Sequence, residues 1–399
     1  MLFKASFNLY FFSMHIVMIG QKGVPSKFGG IETHVTELST RLVRAGHKVT
    51  AYTRPWYTKD RSDKFNGIHI QSLPSIKTKH LDAISHTFIS TMHACFIARP
   101  DVIHFHGVGP SLLAWIPRIL RPQATVISTF HCIDSQHEKW GIIARTMLRL
   151  GEKASVKFAH GTIGVSKTLV NYAALRFGNR ISYIPNGISP RRVTTNDVVL
   201  KPFSLRSGNY IAMVSRLVKH KGAHTLIDAW KKARQQHPGL LKDTKLAIIG
   251  GSAFTDDYVK RLHAMALGDD SIVFTGYQTG EVLQALFAGA KFIAHPSVSE
   301  GLPIAILEAM SYGKAVIASD IAENMEVIAE HGVPFAAGNV EELSEKIVEL
   351  AQDPMQAASI GHVAREFVEQ DYHWDDITLE TINLYNKQLA LRSGILATR

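Results

Sequence analysis

The sequence predicts an α/β protein made of two doubly wound, Rossmann-like domains facing each other across a cleft. Three observations carry that prediction. Short β-rich runs alternate with helical ones through both halves of the chain, the pattern of a parallel sheet covered on both faces. The alternation restarts after a polar stretch, 189–207, of the kind that joins domains. A length of 399 residues with 46% apolar content suits two globular domains of about 150 to 200 residues each.

The elements follow in order. Residues 1–13 begin with an apolar run that is too short to span a bilayer and has no small-residue cleavage site, so they read as a frayed or non-native extension before Met14. His15–Ile19 reads as a buried strand. A helix is predicted over 31–45, with Ile31, Val35, Leu38 and Leu42 on one face and Gly46 as its stop. Strands are predicted over 48–52, 68–73, 102–105, 125–129 and 161–165, and the turn cluster 184–188, Ile-Pro-Asn-Gly-Ile, closes this half. The second half offers strands over Tyr210–Val214, Lys245–Ile249, 272–275, 292–294 and 315–318, with helices such as Ala223–Gln236 and 279–288 between them. Trp374, Ile377, Ile382, Leu384 and Leu389 fall mostly at helical spacing and predict a terminal helix that packs back across the domains. The predicted division is therefore 1–188, 189–372 and the terminal helix 373–399.

Composition narrows the function classes. The two cysteines, Cys95 and Cys132, have no spacing that suggests a metal site or a disulfide framework, which points to a reducing cytosol and to buried small hydrophobes. No segment after the first is long and apolar enough to cross a membrane, although amphipathic segments can lie on one. Residues 1–192 hold 25 Lys and Arg against 9 Asp and Glu, a balance of +16, while the remainder balances at −6. The basic half suits an anionic partner, such as acidic lipid head groups or a phosphorylated acceptor, or is a solvated basic surface.

The most telling stretch runs from His295 to Ala318. Glu300 and Glu308 flank the start of a short apolar helix marked by Gly301 and Pro303, and such a start offers free N–H groups to an anion. Glu308 lies among Ile304, Ile306, Leu307, Ala309 and Met310, where an ionised carboxylate is costly unless something such as a polyol donates hydrogen bonds to it. Taken singly, each acid also reads as a helix cap or an ordinary helical Glu. Gly29-Gly30 precedes the first helix with spacing unlike the dinucleotide fingerprint, and serves either a ligand phosphate or a turn. Arg216 and Lys221 follow a strand end, where two cations can bracket a diphosphate and neutralise charge on a leaving group; a solvated basic turn is the alternative. His131 lies just past a strand, placed to donate to a sugar hydroxyl or a leaving-group oxygen, with Asp134 able to orient a neighbouring group. His104 and His106 have no evident third ligand and read as strand-end polar residues.

Together the stretch Glu300-Gly301-Leu302-Pro303 through Glu308-Ala309-Met310, with Arg216, Lys221, Gly29-Gly30 and Pro185-Asn186-Gly187, resembles the retaining glycosyltransferases of family 4, which have the GT-B fold. The resemblance covers nearly the whole chain from Met14 onward. It implies a nucleotide-sugar donor held mainly by the C-terminal domain, and a glycan or lipid-linked acceptor approaching the N-terminal one. By that likeness Glu308 grips the ribose, Glu300 faces the donor sugar, Arg216, Lys221, Gly301 and Leu302 hold the donor with Gly30 completing the clamp, and His131 touches the sugar. Glu326 falls where many relatives carry a glutamate after two glycines, which this sequence lacks; it and Asp134 are read as acceptor or sugar contacts. The family likeness also implies retention of anomeric configuration and no metal or other cofactor; from the cysteine usage and the basic first half the enzyme is expected in the cytoplasm, peripheral on the membrane's inner face, with no nucleic-acid partner. Two rival readings stay open: a nucleotide-sugar epimerase of the same fold, and a catalytically inactive carbohydrate-binding partner.

Overall fold

The computed structural model describes residues 13–57, 62–78, 81–133, 141–178, 181–190 and 193–393. The chain divides into two compact units. The first takes in residues up to Ile163, Ala173–Ser182, and the chain from Thr378 onward; the second takes in Gly164–Tyr172 and Tyr183–Ile377.

The first unit is organised by an eight-stranded sheet. Its strands are β1 (His15–Ile19), β2 (Lys48–Thr53), β3 (Lys64–Phe65), β4 (Ile68–Ser72), β5 (Val102–His106), β6 (Thr125–Phe130), β7 (Gly161–Gly164) and β8 (Ser182–Tyr183), in the order β3-β4-β2-β1-β5-β6-β7-β8. β1 lies between β2 and β5, parallel to both, and its Ile16–Ile19 are wholly buried, as a strand covered on both faces must be. The helix Gly30–Arg44 buries Val35, Leu38 and Leu42 and gives way to Gly46 with φ +90°, one residue earlier at each end than predicted. β3 and β4 form the one antiparallel pairing in the registers of this sheet, closed by Asn66-Gly67 with φ of 48° and 81°. That pair of left-handed residues is what a two-residue hairpin demands.

The second unit holds a six-stranded sheet. β9 (Tyr210–Val214), β10 (Lys245–Ile249), β11 (Ile272–Gly276), β12 (Ile293–His295), β13 (Val316–Ser319) and β14 (Val333–Phe335) run parallel throughout, in the order β11-β10-β9-β12-β13-β14. Strand order therefore reverses between β9 and β12, the switch point where open α/β sheets take their ligands. One core face gathers Ile211, Met213, Leu246 and Ile248 around the buried Trp230, whose indole N–H donates to Ser271 Oγ at 2.9 Å, so the ring is buried without losing its polar bond.

Two stretches take places that periodicity alone does not dictate. Pro185-Asn186-Gly187 belongs to the second unit, where Ile188 N–H donates to the Tyr372 carbonyl at 2.7 Å and Gly187 packs so closely on Trp374 that an added Cβ would sit 2.8 Å from the ring. The helix Trp374–Arg392 starts in the second unit and continues in the first, where Tyr385 is wholly buried and hydrogen-bonded to His104.

Candidate active site

In the second unit the groups gather at the carboxyl ends of β9 and β12. After β9 come Ser215, the exposed Arg216, and a turn Lys219–Lys221 that ends on Gly222 with φ +75°. A Cβ at Gly222 would lie 2.0 Å from the Pro296 carbonyl oxygen, so only glycine lets this turn rest against the loop that follows β12. Val298 N–H closes the contact by donating to the His220 carbonyl at 2.8 Å. The result is an ion pair between Lys221 Nζ and Glu300 Oε1, and the same oxygen lies 2.7 Å from Nε2 of the buried His295. Burial alone would raise the Glu300 carboxyl, but the adjacent Lys221 charge and the His295 hydrogen bond outweigh it and hold the group well below the ordinary carboxylate range. Glu300 is thus an ionised carboxylate in a buried place.

Gly301, Leu302 and Pro303 are buried and lead into the helix Ile304–Ser311, whose first residue follows Pro303. Glu308 is half-buried on that helix, one turn past the start, with Ile306, Leu307, Ala309 and Met310 buried around it. Arg216, Lys221, Glu300, Gly301, Leu302 and Glu308 therefore share one unit, on the loops and helix that leave β9 and β12. Glu326 has another partner. Its Oε2 accepts from Lys167 N–H at 2.8 Å, at the first residue of the helix Lys167–Phe177, where a carboxylate satisfies an orphan donor. Burial still pushes the Glu326 carboxyl upward, and it does the same to Glu323, with Glu300 and Glu326 adding to the effect on Glu323.

In the first unit the sheet's carboxyl edge carries histidines. His131 follows β6 and is buried, whereas Asp134 lies outside the described residues. His106 ends β5, and its Nδ1 lies 3.3 Å from His131 Nε2 while its Nε2 lies 3.3 Å from Met18 Sδ. A thioether only accepts, which puts the His106 proton on Nε2 and makes Nδ1 the acceptor of a proton carried by His131 Nε2. Burial, reinforced by the neighbouring histidines, holds both imidazoles well below the ordinary histidine range, hence neutral.

His34, from the helix Gly30–Arg44, stands edge-on to His131 with ring centroids 4.8 Å apart. This corrects the expectation for His104 and His106. His104 is not a strand-end polar residue but a core residue bonded to Tyr385 and Thr129 at 2.7 Å each, and His106, which does end β5, has two further imidazoles beside it. Among the described residues, His34, His106 and His131 are the group of three with ligand atoms within 4.8 Å of one another. That widest spacing exceeds the roughly 3.4 Å between nitrogens on a tetrahedral zinc; His106 and His131 bond to each other, and His34 meets both through ring contacts.

Gly29 and Gly30 open the first helix. Gly29 has φ +108°, and a Cβ there would meet Glu32 Oε2 at 2.0 Å; Glu32 Oε1 accepts from Lys22 N–H at 3.0 Å. Glu32, in the first turn of this helix, thus turns its carboxylate back onto Gly29 and the loop after β1. Sequence reasoning gives His34 and His295 no place in the site and reads His106 only as a strand-end polar residue. His295, directly before Pro296 at a predicted strand end, had a signal of position; His34 had none.

Residues 201–367 match the glycosyl transferases group 1 family, and residues 28–192 match Glycosyltransferase Family 4. An uncharacterized glycosyltransferase of Methanocaldococcus jannaschii is 27% identical over 93% of this chain and 98% of its own. The GDP-mannose-dependent alpha-(1-6)-phosphatidylinositol monomannoside mannosyltransferase of Mycobacterium tuberculosis is 26% identical over 91% of this chain and 96% of its own. Among solved structures, Anabaena HepE in complex with UDP and glucose superposes with a TM-score of 0.77 at 21% identity, covering 94% of this chain and all of the other. The chain belongs to glycosyltransferase family 4, the group 1 glycosyltransferases, and has the GT-B fold. It is a glycosyltransferase of the kind that uses nucleotide sugars.

Proposed function

We propose that this enzyme moves a hexose or 6-deoxyhexose from a nucleoside diphosphate sugar to a glycan or lipid-linked acceptor, with retention of anomeric configuration and without a metal at the diphosphate. The observation that carries the reading is the Lys221–Glu300–His295 group at the strand-order switch of the second sheet, with Arg216 exposed beside it. Lys221 has three donors and spends one on Glu300, so it can bond a diphosphate oxygen while remaining anchored. With Arg216 it would neutralise the charge that grows on the departing diphosphate, the task a metal performs elsewhere. Glu300, kept ionised, would support positive charge developing on the sugar, and the polar face of Glu308 would take the ribose hydroxyls. His131, neutral and turned by His106, would offer its remaining ring nitrogen to a sugar hydroxyl. The backbone of Gly29 and Gly30 is proposed to approach the donor phosphate, with the Glu32 carboxylate beside Gly29 limiting how much charge it accepts. Glu326 serves the helix Lys167–Phe177 in this reading, with contact to acceptor or sugar left to the Asp134 region.

The balance of +16 over residues 1–192 and the mycobacterial relative named for a phosphatidylinositol mannoside support a membrane-borne acceptor and a peripheral, cytoplasmic location. Incubation with a panel of nucleotide sugars in the presence of chelator tests the core of the proposal. Transfer should persist and NMR of the product should give the donor's anomeric configuration. Strict metal dependence, inversion, or an epimerised donor with no transfer would overturn it.

A further inference from the structure

We propose that Glu323, at the start of the helix Ala322–Ile328, selects the donor sugar by charge: it accepts from the hydroxyls of a neutral hexose and turns away a hexose that carries a carboxylate. This role rests on the proposed donor site and adds to it a residue from the next strand over. β13 lies beside β12 with Ala318 opposite His295, so the chain leaving β13 emerges next to the loop that carries Glu300. Three wholly buried side chains lock the two together. Ser319 Oγ donates to the Ser297 carbonyl, and Asn324 Nδ2 donates to the Ser319 carbonyl at 3.0 Å and to its Oγ at 2.9 Å, with Ser297 Oγ 3.4 Å away. Glu323 directly precedes Asn324 and Glu300 lies three residues past Ser297, so one clamp fixes the backbone of both acids.

Partners separate the three acids of this region. Glu300 has Lys221 and His295, and Glu326 has the Lys167 N–H. Glu323 is half-buried and has its own backbone N–H; among the described residues no other side chain donates to it. Burial pushes its carboxyl upward, and the charge of Glu300, then that of Glu326, adds to the effect, which puts Glu323 within electrostatic reach of the sugar-facing acid. A half-buried carboxylate with so few donors takes its remaining hydrogen bonds from what enters the site. Sugar hydroxyls can supply them. An ionised ligand carboxylate only accepts, and it would bring a third negative charge to Glu300 and Glu323, where the Lys221 charge is already matched by Glu300. Like charges set against each other are a means of specificity by rejection.

Titration calorimetry at pH 8 compares UDP-glucose with UDP-glucuronate and GDP-mannose with GDP-mannuronate, with UDP and GDP as sugarless references. The full-length wild type is measured beside Glu323→Gln and Glu323→Lys. In the nucleotide series that binds, the wild type should hold the neutral sugar at least about tenfold more tightly than its uronate. Glu323→Gln should narrow that ratio several-fold and Glu323→Lys should close or reverse it, at unchanged Tm and unchanged affinity for the nucleoside diphosphate. A wild type that binds both sugars alike would overturn the proposal. So would a ratio that Glu323→Lys leaves in place, or variants that lose the sugarless nucleotide as strongly as the sugar. A protein that binds neither series would overturn the donor site itself and this role with it, a result distinct from binding without discrimination.

Discussion

The two units solve one problem in opposite ways. Each must keep polar groups dry at the carboxyl edge of a parallel sheet. The first buries His104, His106 and His131 as neutral imidazoles bonded to Tyr385, Thr129, Met18 and one another. The second buries a charge, Glu300, and compensates it with Lys221 and His295. Neutral networks tolerate the loss of one partner better than a buried ion pair does, because an unpaired buried charge is far costlier than an unpaired imidazole. The comparison teaches where fragility should lie, and four measurements can break it.

The largest effect is expected from Lys221→Ala, which strands the Glu300 carboxylate. Urea unfolding should show a loss of about 3–5 kcal/mol. In the wild type, a Glu300 carboxyl lower in the folded than in the unfolded state stabilises above its ordinary value of 4.5, and that contribution is lost as pH falls below it. The variant leaves burial to dominate, so this acid-side loss should vanish; an unchanged acid limb would mean that the pair does not hold the charge. Next comes Glu300→Gln, similar in shape but neutral. If the carboxylate supports charge on the sugar, kcat should drop roughly 10²–10³-fold with donor affinity little changed, whereas a pure KM effect would mean a binding role alone.

The histidines make the third, smaller contrast. Their folded values lie well below 6.5, so the unfolded chain takes up protons first as pH falls through 6.5, and stability declines in that direction by up to about 1.4 kcal/mol per pH unit for each histidine. Unfolding followed from pH 7.5 down to pH 5 should show this slope, reduced in His106→Asn. A flat profile would show these imidazoles protonated in the folded state. Smallest is Glu326→Ala, whose carboxylate caps the helix Lys167–Phe177; about 1 kcal/mol should be lost, with kcat unchanged. A large fall in kcat would return Glu326 to the reaction.

Most of the fold was legible because parallel strands announce themselves as apolar runs. Tyr210–Val214, Lys245–Ile249 and the helix Ala223–Gln236 keep their predicted ends, and others shift by a residue or so. β3 was missed although Asn66-Gly67 is a strong hairpin signal, since a two-residue strand has no periodicity to read. The short helix Asp197–Leu200 inside the polar connection escaped for the same reason. In the site, Arg216 and Lys221 stand out by their position after a strand, and Glu300 by the helix start it flanks. Their pairing does not, because Lys221 and Glu300 are 79 residues apart and meet only through the Gly222 contact with Pro296. His104 reads from sequence as a strand-end polar residue, since an imidazole in a core is recognisable only once its partners are known.

The last helix carries a consequence for synthesis. Tyr385, which completes the buried bonding of His104, lies 281 residues beyond it, and the whole second sheet is made in between. At a translation rate of roughly 5 to 20 residues per second, the first sheet waits about 10 to 40 s between the emergence of β8 and that of its final helix. The N-terminal half therefore cannot finish before the C-terminal half has been made. A nascent chain whose emerged part ends just short of Thr378 should display a second unit ready to fold and a first that is still protease-sensitive, reversing the usual order in which a nascent chain matures.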